Sequence, residues 1–540
     1  MRIDAINIKK EGQLIADYRE NKQEIMQFFD YHPFLDFKER VSELKKRSYK
    51  REELSTQLKK LNRAWGASES TMNNIGKLKE QETLVVIGGQ QAGLLTGPLY
   101  SINKVISIIQ LAKQQERALG VPVIPVFWIA GEDHDYDEIN HVYMPEGATL
   151  KKCKFNQSLY KKTSVSHIEL DKDLCRKWLD HLFAELQETE YTRDLYEGLM
   201  DSVDESISFT DFFANIIFKL FQDEGLVLVD AAADEIRSLE SNYFIELIEK
   251  QNKISHGVYE AAEALKRKDY TLSLEVKPSD GHLFYQMDEE RILLERTDDG
   301  NWKGKQNEIQ LTTEELLHIA VNKPEHLSNN VVSRPLMQEL LFPTLAFVGG
   351  PGEISYWAAL KQAFHSLEVK MPPVVPRLSY TYVPAKVRKA LELTGIELES
   401  AIQNGTETER EDWLKSKQNS SIDEAANALK QTIAEAHEPM QQIAAAIRAD
   451  VKQLSDKNLF YLYREVDFLR DRMKQAMEEK YEKELYQYDL IQMMLRPDDG
   501  FQERKWNPLP LLNSHGKEFI RQAVNHPSCF TEKHYAVYLK

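Results

Sequence analysis

Between residues 84 and 100 the chain reads LVVIGGQQAGLLTGPLY, an apolar run that breaks into a glycine-rich loop and then into a helical pattern. Leu84, Val85, Val86 and Ile87 are continuous rather than alternating, which fits a parallel strand buried on both faces. The following YSINKVISIIQLAKQQ has apolar residues at helical spacing, with Pro98 placed for the first turn. Strand, glycine loop and helix in that order point to an α/β fold, whose ligands bind beyond the carboxyl ends of the strands. Gly88, Gly89, Gly93 and Gly97 would let backbone N–H groups approach a ligand. An anion at the helix start would meet unpaired donors and the positive end of the dipole. Gln90, Gln91 and Thr96 add polar side chains there. The loop matches neither GxGxxG nor a P-loop, because Gly97, Pro98 and Leu99 stand where Gly-Lys-Ser/Thr is needed. A tight turn without a ligand is the plainer alternative.

A second buried strand follows in ALGVPVIPVFWIAGEDHDYDEINHV, completing a βαβ unit with an expected right-handed crossover. Its polar turn, GEDHD, offers Glu132, Asp133 and Asp135 as oxygen donors suited to Mg²⁺, and His134 as an acid or base. Asp133 and His134 are the candidate catalytic pair; Asp137 and Glu138 read as solvated. His134 and His141 lack HExxH spacing and no cysteine is near, so zinc is not expected and no metal ligand set is assigned.

GHLFYQMDEERILLERTDDGNWKG alternates and carries Asp-Gly punctuation, so it reads as an antiparallel hairpin insertion. Thr344 to Val348 then form another strand that runs into Gly349, Gly350, Pro351 and Gly352 and a helix, echoing the first motif. If both strands are parallel, the two glycine turns become opposite walls of one cleft. Arg334 could grip a carboxylate or phosphate bidentately, or serve a structural ion pair. Asn330 lies beside it, and Glu353, Tyr356 and Arg377 border the second turn.

From about 386 the texture becomes Glu- and Lys-rich helix. Ile422, Ala426, Leu429, Ile433, Ala436, Met440, Ile443 and Ile447 step by fours and threes in an a/d seam. Ser455 to Asn458 break it, and Leu462, Val466, Leu469, Met473 and Ala476 resume it. The expected structure is an antiparallel hairpin turning at 455–458, with a kink at Pro439. Beyond the arm, Arg504 and Trp506 could stack on a base, or Trp506 could simply seal a junction.

The expected divisions are 1–150, the first part of a Rossmann-like core; 151–330, connecting insertions; 331–385, the rest of the core; 386–500, the helical arm; and 501–540, a segment packing back on the core. At 540 residues, two or three domains are expected. A net charge of −17 argues against nucleic acid or an anionic membrane as the main partner. The start lacks a signal-peptide pattern, no apolar run is long enough to span a bilayer, and three distant cysteines make no disulfide framework. A reducing cytoplasm is the expected compartment.

The strings GGQQAGLLTGPLYSINK, FWIAGEDHDYDEIN, SNNVVSRPLMQELLFPTLAFVGGPGEISYWAALKQAF, MPPVVPR and QERKWN resemble the bacillithiol-biosynthesis BshC family of cysteine-adding enzymes. The resemblance runs over nearly the whole chain. It implies a Rossmann-like core with inserted segments, a coiled-coil arm and a homodimer. It also implies the last pathway step, an amide between the carboxyl of cysteine and the amine of glucosaminyl-malate. Such a step needs carboxylate activation, ordinarily by ATP with Mg²⁺. The HxGH and KMSKS motifs of related class I synthetases are absent, and no thiolate-rich zinc site is present to hold the cysteine. In this reading Gln90, Gln91, Gly93, Thr96 and Gly97 bind an anionic group, and Asp133 and His134 position the amino sugar and take its proton. Asn330 and Arg334 hold the malate carboxylates, and Gly350 and Glu353, with Tyr356 and Arg377, shape the opposite wall. Arg504 and Trp506 would form a second nucleotide site. The alternatives are a Mg²⁺-dependent sugar-nucleotide transferase and a non-catalytic coiled-coil scaffold.

Overall fold

The computed structural model of the protein describes residues 1–8, 12–159, 163–287, 290–417 and 421–540. Its core is a five-stranded sheet in which every pairing is parallel. In space the strands run Val227–Asp230, Val123–Ile129, Leu84–Gln90, Thr344–Gly349, Val374–Pro376. By order along the chain that is 3-2-1-4-5, the doubly wound Rossmann arrangement, with its topological switch between Leu84–Gln90 and Thr344–Gly349. The continuous apolar runs follow from this placement. Val85, Val86 and Ile87 are fully buried, as are Val126, Phe127 and Trp128.

The Tyr100–Leu119 helix packs on the first two core strands and is buried along most of its first three turns. Glycines 88 and 89 serve this packing. A Cβ on Gly88 would lie 2.7 Å from the Val348 carbonyl oxygen, and one on Gly89 would lie 2.5 Å from that of Trp128. Contrary to the expectation from sequence, the space left by the missing Cβ at both positions is taken by neighbouring protein, although Gly89 also borders the cleft described below.

The hairpin insertion is part of a five-stranded antiparallel sheet built from Asp280–Met287, Glu290–Arg296, Trp302–Gly304, Gln310–Leu311 and Leu327–Asn329. The chain ends also meet, with Arg2–Ile6 pairing antiparallel to His534–Tyr538. Among the described residues no helix is long and apolar enough to cross a membrane.

Two compact units result. The first comprises 1–145, 150–382 and 502–540; the second comprises 146–149 and 383–501. The second unit is dominated by an antiparallel helical hairpin, Ile422–Ile447 and Ala449–Lys480. Its turn is at Arg448, whose backbone is extended, and not at 455–458. The polar stretch there stays helical because its side chains serve the hairpin. Asp456 accepts from Gln441 at 3.0 Å, and Asn458 meets the His437 ring nitrogen at 3.0 Å. Ion pairs Lys430–Asp467 and Lys474–Asp423, at 2.6 and 2.8 Å, hold the arms in register farther along. The first arm continues as one helix through Pro439.

Candidate active site

The switch point leaves a crevice at the carboxyl ends of the two central strands, where the chain must diverge to opposite sides of the sheet. A cleft of about 370 Å³ occupies it. Gly89, Gln90 and Gln91 from the first glycine turn line one side; Gly350, Pro351, Gly352 and Glu353 from the second line the other. Asp133, Arg334, Tyr356, Arg377 and Arg504 complete its polar lining. Thus segments more than 400 residues apart in sequence converge on one space.

Two residues not anticipated from sequence, Lys104 and Gln338, line the cleft, and Lys104 ties its walls together. Lys104, on the Tyr100–Leu119 helix, is 1% exposed; its Nζ donates to the Gly89 carbonyl at 2.6 Å and to Gln90 Oε1 at 3.1 Å, and pairs with Glu353 Oε2. Burial lowers the Lys104 pKa, against the opposing pull of Glu353. The same Glu353 oxygen accepts from the Gly350 N–H at 2.7 Å, so the salt bridge pins the second glycine turn to the helix beneath the first. Gln338, one helical turn after Arg334 and therefore on the same face, also lines the cleft. Its Oε1 and the Trp128 indole N–H, also at the cleft, are buried without a hydrogen-bond partner. Unpaired buried polar atoms are costly and rare, and they favour occupancy of this space by a polar ligand. The i, i+4 spacing of Tyr100 with Lys104, and of Arg334 with Gln338, is the sequence signal that could have found them.

The acidic turn is organised by arginines. Glu132 is fully buried; its Oε1 accepts from Arg334 Nε at 2.8 Å and its Oε2 pairs with Arg237. Burial alone would raise this carboxyl, but Arg237, Arg334 and Arg291 hold it down at about 2. Asp133 Oδ1 lies 2.6 Å from Arg334 and 3.6 Å from Arg291. Arg237 also pairs with Glu240 at 2.6 Å, and burial pushes that second carboxyl up to about 7. Arg334 is thus not a free anion grip, since two carboxylates already occupy its fork. Glu132 and Asp133 likewise present their oxygens to guanidinium groups rather than to a common centre. No cluster of three or more His, Cys, Asp or Glu side chains suited to a metal ion occurs among the described residues, so the turn does not fit a Mg²⁺ ligand set.

Asp133 and His134, expected to act together, face different spaces. Asp133 lines the cleft, whereas His134 lines a separate cavity of about 570 Å³ with Asp135, Asp137 and Lys154. Both lie in the turn after the strand Val123–Ile129, where Arg334 holds Asp133 on the cleft side while the His134 ring packs edge-on against Phe284. Asn330 lies outside the cleft lining: its Oδ1 accepts from the N–H groups of Val332 and Ser333 at 2.8 and 3.1 Å, making it a local cap before the Arg334 helix.

A second polar cavity, about 320 Å³, adjoins the cleft. It is bordered by Gly93, Gly97, Ser101, His141, Tyr143, Lys505 and Asn507, together with Gln91, Tyr100 and Arg504. The loop between Gly93 and Gly97 is strained, with φ of +48° at Leu95, +71° at Thr96 and +72° at Gly97. A β-branched residue in the left-handed region costs on the order of 1–3 kcal/mol and needs support from its surroundings. Asn507 gives that support by donating to the carbonyls of Leu95 and Gly97 at 3.0 and 2.9 Å. Thr96 is buried with its hydroxyl unpartnered, and it lines neither polar cavity.

Arg377 reaches the cleft while Glu503 grips it bidentately at 2.7 and 2.6 Å. Arg504, next along the chain, is exposed. Trp506 is 2% exposed and lines neither cavity; its carbonyl accepts from the Leu99 N–H at 2.8 Å. Its indole is core material, and the surface needed for base stacking is not offered. A larger apolar cavity of about 530 Å³ lies behind Leu95, among Leu195, Leu199, Ile216 and Leu512. Asp194, Lys219, His515, Lys517 and Glu518 border it as well, but none of its lining residues comes from the carboxyl end of a core strand; the switch-point cleft is built on those ends and is therefore the better candidate.

Comparison with known proteins agrees with this architecture. Residues 1–378 match the family model for the BshC N-terminal Rossmann-like domain of bacillithiol biosynthesis, and residues 380–539 match that for the BshC C-terminal coiled-coil domain. The chain is 44% identical over 544 residues to an Oceanobacillus iheyensis protein named "Putative cysteine ligase BshC". It is 40% identical over 540 residues to a protein of the same name from Bacillus cereus, and each of these matches covers 100% of both chains.

Proposed function

Because the chain belongs to the bacillithiol-biosynthesis BshC family, we propose that it joins the carboxyl group of cysteine to the amine of glucosaminyl-malate, the last step of bacillithiol biosynthesis. The observation that carries this reading is the donor content of the switch-point cleft. Lys104, Arg334 and Arg377 line it, each paired with a carboxylate that holds it in place, namely Glu353, Asp133 with Glu132, and Glu503. Guanidinium N–H groups fixed in this way, with the unpartnered Trp128 N–H beside them, suit a substrate with two malate carboxylates. Asp133, held in place by Arg334, is set to orient the amine end of the same molecule. That sugar amine, with a pKa near that of an α-amino group, roughly 8, needs little help to become nucleophilic. Alignment of two bound reactants then supplies much of the acceleration, on the order of 7 kcal/mol or more.

A free carboxylate must be activated before it can form an amide, and ATP is the co-substrate proposed to supply the leaving group. The neighbouring cavity has a donor set that fits a polyphosphate, namely Lys505 and Ser101 beside the start of the Tyr100–Leu119 helix. No step is assigned to Mg²⁺, since the acidic turn is committed to arginines. A thiol substrate and a thiol product suit a reducing cytoplasm.

The second unit is proposed to dimerise with a second copy. Met440, Ile443, Ile447, Leu454, Phe460 and Phe468 are each at least 59% exposed on its hairpin, which leaves six large apolar side chains for a second copy to cover.

Pure protein incubated with cysteine and glucosaminyl-malate, with and without ATP and Mg²⁺, is expected to form a product of bacillithiol mass only when ATP is present. Absence of product under every condition contradicts the ligase assignment.

A further inference from the structure

Amide formation joins two molecules, so its reacting atoms must lie where the two substrate spaces meet. Two polar cavities share a wall in this chain. Among the described residues, only Gln91, Tyr100 and Arg504 border both the 370 Å³ cleft and the 320 Å³ cavity.

These three differ in what they have left to offer. Gln91 Nε2 is committed to Glu138 Oε2 at 3.0 Å. The other cations of the cleft are likewise engaged: Lys104 by Glu353, Arg334 by Glu132 and Asp133, and Arg377 by Glu503. Arg504 is exposed and makes no ion pair among the described residues. Tyr100 is half-buried, and burial raises its phenol pKa, so it is a hydrogen-bond donor at neutral pH. A guanidinium and a phenol at the junction of two cavities form a donor pair of the kind that stabilises negative charge developing on an acyl oxygen.

We propose that Arg504 and Tyr100 are catalytic residues of the ligation, donating to the acyl oxygen of activated cysteine as the sugar nitrogen attacks. This assignment rests on the ligase reading above. The activated species is an acyl-phosphate or acyl-adenylate made from ATP. The nitrogen lone pair forms the new C–N bond, and the carbonyl π pair moves onto oxygen, where the two donors meet it. Collapse re-forms the carbonyl and expels phosphate or AMP with the electron pair of the broken C–O bond. The departing phosphate oxygen takes the proton that nitrogen loses.

The test is steady-state kinetics of Arg504→Gln, Arg504→Lys and Tyr100→Phe at varied cysteine and glucosaminyl-malate with saturating ATP. A donor used in the transition state raises kcat without changing ground-state binding. Arg504→Gln is expected to lower kcat about 100-fold, and Tyr100→Phe at least about tenfold, with each KM within about threefold of wild type. Arg504→Lys retains charge but loses the planar fork, so its kcat should fall between those of wild type and Arg504→Gln. Because Arg504 is exposed, its variants should keep the wild-type far-ultraviolet circular dichroism and Tm. Product from wild type with unchanged kcat in Arg504→Gln and Tyr100→Phe overturns this assignment and leaves the ligase reading standing. A raised KM at constant kcat overturns it as well. No product from wild type overturns both.

Discussion

Glu503 gives one oxygen to Arg377 and Asn103, each at 2.7 Å, and the other to Arg377 at 2.6 Å and Ser379 at 2.9 Å. Burial acts to raise its pKa, but Arg377 and its hydrogen bonds prevail and hold it at about 2 instead of the ordinary 4.5. Because the folded value is depressed, the stabilisation is fully present above pH 4.5 and is lost as pH falls toward 2. Glu503→Gln leaves a buried guanidinium uncompensated, which should cost about 3–5 kcal/mol at pH 7. Urea unfolding of wild type and variant should show this gap narrowing at pH 3, and an equal gap at both pH values contradicts the assignment. The same logic governs Arg334. Its residue type and neighbours suggest an anion grip, but whether the fork is free depends on Glu132 and Asp133, some 200 positions earlier. No spacing within one stretch of sequence encodes that commitment.

The elements near the site were more legible than its side chains. Continuous apolar runs ending in glycine identified the strands Leu84–Gln90, Val123–Ile129 and Thr344–Gly349 because a doubly covered parallel sheet leaves no polar face. The helical arm was legible from its period, but its turn was not. Arg448 reverses the chain between Ile447 and Ala449 without a glycine, proline or asparagine to mark it. The a/d spacing also promised a buried seam within one chain. That seam is buried at Ile422, Ala426 and Val466, whereas Ile443 and Ile447, next to the Arg448 turn, are 59% and 68% exposed. Ile443→Ser combined with Ile447→Ser should therefore halve the mass measured by light scattering after size exclusion, with circular dichroism unchanged. A wild-type protein of single-chain mass, or a doubly substituted one that keeps the wild-type assembly, contradicts dimerisation through this face.

For the whole molecule, topology explains why the site lies where it does. The strand order places the first and fourth core strands side by side and parallel, bringing two glycine turns some 260 residues apart to one crevice. Residues 502–507 then return to the first unit, where Asn507 holds the strained loop and Arg504 faces both polar cavities. Local pattern could suggest the crevice, but the contribution of this returning segment depended on tertiary contacts across more than 400 positions. The central claim is that the cation-lined cleft at the switch point receives the anionic amino sugar. A crystal structure with glucosaminyl-malate bound tests it most directly. The account predicts the malate carboxylates between the two glycine turns, within hydrogen-bond reach of at least one of Lys104, Arg334 and Arg377, with the amine toward the wall formed by Tyr100 and Arg504. Glucosaminyl-malate seated instead in the apolar cavity behind Leu95, with the switch-point cleft empty, would contradict it.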